Sequence, residues 1–291
     1  MHPKARHIVA VMLNSFQHDG EWGSAPGGGS SARPPRFACM TSVLIAGFWG
    51  FVGGSALILG ALTGFYARLP QRVIAGVMAV GAGVLISALA FDLMDEAYAQ
   101  GGLDSTAAGF LGGAAVYTAA NVILSRRGAR HRKRSGSDPD KSPSGEANAG
   151  LAIAIGALLD GIPESIVIGV SLLGGQGVSV VTVAAVFLSN VPEGLSSAAG
   201  MKRAGRGRGY VLGLWTAIAV ASGIAAMVGN ALLAGAGPEA IAAVTAVAAG
   251  AILAMLVDTM IPEATEATHD YSGLIAVVGF LAAFMLTKSG G

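Results

Sequence analysis

An all-α polytopic membrane protein with eight transmembrane helices is the fold class this sequence predicts, on three observations. Of its 291 residues, 53% are hydrophobic and only 12% are charged. The hydrophobic residues come in continuous runs of about twenty, the length an α-helix needs to cross about 30 Å of hydrocarbon. The basic residues collect in alternate gaps between those runs, as one topology requires. Continuous runs exclude a membrane β-barrel, whose strands alternate apolar and polar residues.

Residues 1–40 are mixed and Gly/Ser/Pro-rich, ending "SAPGGGSSARPPRFACM". They read as a disordered extension, with no apolar stretch long enough for a signal peptide or a span. Met40 directly precedes the first apolar run, which makes it an alternative start. The transmembrane domain, residues 41–291, is expected to hold spans near 43–66, 73–94, 106–125, 150–172, 176–200, 210–235, 238–260 and 272–289. Pairs such as Gly50 and Gly54, or Gly60 and Gly64, have the four-residue spacing that lets two helices approach closely.

Arg68 and Arg72 lie between spans one and two. Arg126, Arg127, Arg130, Arg132, Lys133, Arg134 and Lys141 lie between three and four, and Lys202, Arg203, Arg206 and Arg208 between five and six. Thirteen of the 18 basic residues thus sit in alternate loops. Those loops are expected on the cytoplasmic side, with both ends of the domain outside it. The loop 126–149 is a basic, Pro/Ser-rich linker, read as a topology determinant lying near anionic lipid headgroups, since a regulatory or metal-collecting role would want more than the lone His131, and no nucleic-acid partner is expected.

One cysteine, Cys39, excludes an intrachain disulfide and a CxxC metal site. None of the five histidines (His2, His7, His18, His131, His269) lies in the middle of an apolar run. A metal site within the membrane must then be built mainly from oxygen ligands.

Two short phrases in adjacent spans carry such ligands: "LLDGIPESIVIG" from Leu158 and "FLSNVPEGLSSA" from Phe187. An ionisable residue at the bilayer centre costs about 2.5–3.5 kcal/mol on insertion scales, and such residues mark ion or substrate paths. Asp160 and Glu164, four apart, project from one face of span four; Asn190 and Glu193, three apart, do so from span five. Both clusters lie about ten residues, or about 15 Å, from the cytoplasmic ends of their spans, so two antiparallel neighbours can close them around one cation. Pro163 cannot donate to the Leu159 carbonyl, nor Pro192 to that of Leu188, so each helix is expected to open a turn before its glutamate. Carboxylate and amide oxygens suit Mg, Mn, Fe(II) or Zn, and Met94 offers one softer donor. Asp92, Asp95 and Glu96 end span two, and span seven holds Asp258 with Glu263 just beyond it.

These residues resemble the motifs of the ZIP (Zrt/Irt-like protein) family of divalent metal transporters, most closely its bacterial branch. The helix-four motif reads Asp160, Gly161, Ile162, Pro163, Glu164, Ser165, and the helix-five motif Ser189, Asn190, Val191, Pro192, Glu193, Gly194. "AAGAILAMLVDTMIPEA" resembles a third family signature, and "FDLMDEA" the family's "LLPEA". The resemblance implies a ZIP-like eight-helix bundle with inverted-repeat character, in a bacterial inner (plasma) membrane. It implies Glu164 and Glu193 as core ligands, with Asp160 and Asn190 completing the shell, and Ser189 where the family carries histidine or glutamine. Asp258, Glu263 and Asp92 would be gate or exit-path residues. Asp160 also stands in a histidine position, and span six has only Ser222 and Asn230 where some members place an acidic ligand.

The expected function is alternating-access transport of a divalent cation, zinc first, with iron or manganese next. No cofactor is bound permanently, the protein is no enzyme, and the partners are the ion, the bilayer and a second copy in a homodimer. No Walker-type sequence points to ATP. Two alternatives compete: a transport-deficient homologue acting as metal sensor or scaffold, and an intramembrane aspartyl protease using Asp160 and Asp258.

Overall fold

The structure, a computed structural model, describes residues 36–67, 69–126, 146–174 and 177–289. Most of the expected N-terminal extension and of the basic loop 126–149 lies outside the described residues. All regular elements among the described residues are helical. In chain order they are α1 (Arg36–Tyr66), α2 (Gln71–Ala88), a π-helical turn (Leu89–Leu93), α3 (Met94–Leu124), α4 (Glu146–Ser171), α5 (Val180–Arg203), α6 (Arg208–Leu233), α7 (Pro238–Met255), a second π-turn (Leu256–Met260), α8 (Ile261–Thr268) and α9 (Ser272–Ser289), with short 3₁₀ turns at Leu172–Gly174 and His269–Tyr271. α1 begins at Arg36, inside the stretch read from sequence as extension; Pro34 and Pro35 just before it suit a helix start.

Six stretches among the described residues are long and apolar enough to cross a membrane: Met40–Tyr66, Gln71–Leu124, Val180–Arg203, Arg208–Leu233, Pro238–Glu266 and Ser272–Ser289. The chain is an integral membrane protein. The second stretch, at 54 residues, is no single rod. Gly102 interrupts it at φ 69°, ψ −177°, a backbone conformation essentially confined to glycine.

Pro163 and Pro192 do not open their helices: α4 and α5 run as continuous α-helix through both. Packing overrides the lost donor at Pro192, which is buried against Gly81 of α2, while the Ser165 hydroxyl bonds back to the Gly161 carbonyl beside Pro163. The helices deform elsewhere. The Met94 N–H reaches back to the Leu89 carbonyl and the Ile261 N–H to that of Leu256, five residues each, and the two π-turns enclose Asp92 and Asp258.

Apolar packing sorts the helices into two groups. Leu57 and Ala61 of α1, Ala157 of α4, Ala198 and Met201 of α5, and Trp215 and Ile218 of α6 form one buried cluster. Met78 and Leu85 of α2, Tyr117 of α3, Ile252 of α7 and Ala264 of α8 belong to a second, with Ile275 of α9 against it and Val167 of α4 at the seam.

Within each group, helices pair through facing glycines. A Cβ on Gly60 of α1 would collide with the Val191 carbonyl, and one on Gly194 of α5 with that of Leu57. The same reciprocal contact joins Gly83 (Ala276 carbonyl) with Gly279 (Val80 carbonyl) between α2 and α9, and Gly113 (Val247) with Gly250 (Phe110) between α3 and α7. Gly169 and Gly229 repeat it more loosely between α4 and α6. Each glycine meets the carbonyl three residues before its facing glycine, as between helices running the same way. In lipid, where apolar surface gives helices little reason to associate, such backbone approach carries the cohesion. The Gly50 and Gly54 pair packs instead on Ser222 and Ala226 of α6, which runs antiparallel to α1.

Adjacent glycines supply the test. Gly113→Ala is expected to destabilise by at least the about 1–3 kcal/mol typical of overpacking, because the obstacle is backbone. Gly112→Ala, with nothing within 4 Å of the added carbon, is expected to stay within about 0.5 kcal/mol of wild type. Thermal unfolding of the two detergent-solubilised variants checks this.

Candidate functional site

Asp160 and Glu164 lie near the middle of α4, each 2% exposed; Ser189, Asn190 and Glu193 lie near the middle of α5 at 1%, 4% and 5%. On α5, the spacing of four and three puts Val186, Asn190 and Glu193 on one face, and Val186 packs on Ile168 of α4. On α4, Glu164 lies one turn before Ile168 on that residue's face. The two glutamates therefore occupy facing sides of α4 and α5, and burial at this depth holds both where water is scarce.

Glu164 also lines a small cavity with room for about one water molecule, walled by Leu85 and Leu89 of the second group, Thr182 and Val186 of α5, and Ile252 of α7. Glu164 is the one acidic residue along a wall that is otherwise almost wholly apolar. The cavity lies on the seam between the two helix groups.

The neighbouring polar groups hold specific partners. The Tyr117 hydroxyl of α3 donates to Asp160 Oδ1 at 2.5 Å, a length typical of a hydroxyl on a carboxylate. Asn190 Nδ2 donates to the Gly53 carbonyl of α1 at 3.1 Å, and the Ser189 hydroxyl to the Val186 carbonyl at 2.9 Å. Glu263, 2% exposed, accepts a hydrogen bond from the Ser196 hydroxyl. Among the described residues no three His, Cys, Asp or Glu side chains converge closely enough to hold a metal ion.

Met94 is half-buried against the second cluster. Asp92 is half-buried beside Thr287 and Lys288 near the end of α9. Asp258 is exposed and accepts from Asn121 Nδ2 at 3.0 Å, near the end of α3. Asp92 and Asp258 therefore have separate surroundings, the first by Thr287 of α9 and the second by Asn121 of α3, one turn from Tyr117.

Sequence reasoning passed over Tyr117, Ser196 and Thr182. Tyr117 carried a signal: it is the one aromatic hydroxyl in the span "STAAGFLGGAAVYTAANVIL". Ser196 carried a weaker one, three residues after Glu193 and so on the same side of its helix.

Asn190 offers a check on this geometry. Asn190→Ala removes a buried hydrogen bond to the α1 backbone and is expected to cost about 1–3 kcal/mol, since the Gly53 carbonyl is left without that donor. Thermal unfolding in metal-free buffer reads it; an unchanged midpoint would leave Asn190 no structural part. Comparison with known proteins adds no assignment: no protein-family profile matches the chain, and no curated protein sequence does.

Proposed function

We propose that the chain carries a divalent metal cation across the membrane by alternating access, on a ZIP-like scaffold of eight crossings. The crossings are α1; α2 continued through the first π-turn to Gly102; α3 after Gly102; α4; α5; α6; α7 with α8; and α9. The contact register supports the count. Along α1 and α5, and along α3 and α7, contacts advance together, whereas α2 meets α5 in reverse, Gly81 on Ser189 and Ala88 near Ala185. With Lys202 and Arg203 at the end of α5 cytoplasmic, both ends of the domain are extracytoplasmic, in a bacterial inner membrane.

One observation carries the reading: Glu164 and Glu193, 2% and 5% exposed, stand on facing sides of two helices at mid-length, beside the seam between two separately packed groups. Two carboxylates there repel each other and lose hydration, and a cation between them offsets both penalties. Glu164 and Glu193 are the core ligands, with Asp160, Asn190 and Ser189 in reach along the same helices. Met94, next to Leu93 of the cavity wall, offers one softer donor. Asp92 serves the outer mouth, and Glu263 and Asp258 the cytoplasmic path. The family resemblance puts zinc first, and the all-oxygen donor set admits Fe(II) and Mn(II).

The protease alternative needs Asp160 and Asp258 to share a proton. Asp160 is buried on Tyr117 while Asp258 is exposed on Asn121, an arrangement that favours the transporter.

Protein reconstituted in liposomes is expected to take up Zn(II), Fe(II) or Mn(II), and Glu164→Ala or Glu193→Ala to lower the initial rate at least tenfold, a loss of about 1.4 kcal/mol or more. Metal binding without flux would favour the sensor or scaffold; flux untouched by both substitutions would remove the site.

A further inference from the structure

The two helix groups are held internally by backbone contacts at facing glycines, whereas buried bonds between side chains cross from one group to the other among the described residues. Tyr117 of α3 reaches Asp160 of α4, and Ser196 of α5 reaches Glu263 of α8. Both lie about one turn from a central glutamate along its own helix, Asp160 four residues before Glu164 and Ser196 three after Glu193. The carboxylate that would complete the cation shell is thus the one tied to the opposite group.

We propose that Tyr117 is a positioning residue that competes with the transported cation for Asp160: the phenol holds Asp160 across the seam until the cation takes its place, and that exchange releases α3 from α4. The inference rests on the transporter reading above. It accounts for two observations together. Asp160 is turned to Tyr117, and among the described residues no three acidic side chains converge on one point. Among the described residues no reciprocal pair of facing glycines joins α3 to α4, and the Tyr117 hydroxyl ties the two helices through the Asp160 carboxylate. Ion occupancy is then coupled to the contact between groups by one shared atom, Asp160 Oδ1, rather than by a change transmitted over distance.

Tyr117→Phe keeps the ring, 1% exposed in the core, and removes only the hydroxyl. The test is equilibrium binding of Mn(II) to the full chain in lipid nanodiscs, with free Mn(II) read by electron paramagnetic resonance. Wild type, Tyr117→Phe, Ser196→Ala and Asp160→Asn are compared, together with the double variant of Tyr117→Phe and Asp160→Asn. Loss of the competing hydrogen bond is expected to tighten Mn(II) binding by about tenfold in Tyr117→Phe. Ser196→Ala, which loosens the seam without freeing Asp160, leaves the affinity unchanged. The Tyr117→Phe effect disappears in the Asp160→Asn background. In wild type, adding Mn(II) shifts the tyrosine ultraviolet absorption as the phenol changes partner, a reading that does not depend on any variant folding.

Unchanged or weaker binding in Tyr117→Phe, with wild type binding normally, overturns the competition and leaves the transporter reading in place. Equal tightening in Ser196→Ala overturns it too, since seam loosening would then be the cause. A wild type that binds no Mn(II) and no Zn(II) overturns the transporter reading itself, and the competition with it.

Discussion

The close approach of helix backbones at facing glycines is the contact on which the rest of this bundle depends. Lipid is as apolar as the side chains, so burying leucine against leucine gives little drive to associate, and cohesion comes from atoms brought near enough for dispersion and weak Cα–H···O contacts. Gly60 with Gly194, Gly83 with Gly279, and Gly113 with Gly250 supply that approach, and each pair lies inside one helix group. A methyl group at any of them would have to move a helix axis, not a side chain. The groups are consequently stiff within and less tightly bound to each other.

Polar groups gather where the glycine contacts stop. Asp160, Glu164, Glu193 and Glu263 are all 5% exposed or less, and hydrogen bonds from Tyr117 and Ser196 reach Asp160 and Glu263 across the groups. Burying carboxylates is unfavourable unless partners offset the lost hydration. Tyr117 and Ser196 do this for Asp160 and Glu263, and in the proposed function the cargo contributes to it at Glu164 and Glu193. The same side chains that would bind the ion therefore also bear on how the groups meet.

Much of this was legible in the sequence, for physical reasons specific to each element. Apolar runs of membrane length made the helices readable, and the buried ionisable residues stood out against them because so few residues there are charged. The glycine spacing in "GFVGGSALILGALTG" marked α1 as a packing helix, and α1 does pack on both α5 and α6. Two kinds of feature were not readable. Whether Pro163 or Pro192 unwinds its helix depends on neighbours, and Gly81 of α2 meets Pro192 only in three dimensions. The partner of Asp160 likewise stands 43 residues away in the chain, at Tyr117, and the π-turns at Asp92 and Asp258 carry no spacing that periodicity reads. Periodicity reports which face a residue occupies, not what stands opposite it.

The central claim is that Glu164 and Glu193 bind one cation together, and stoichiometry tests it most directly. Titration of Zn(II) or Mn(II) into purified protein, with bound metal counted after equilibrium dialysis, should give one site lost in both Glu164→Gln and Glu193→Gln. Full occupancy retained in both variants, or a separate site lost with each, would contradict it.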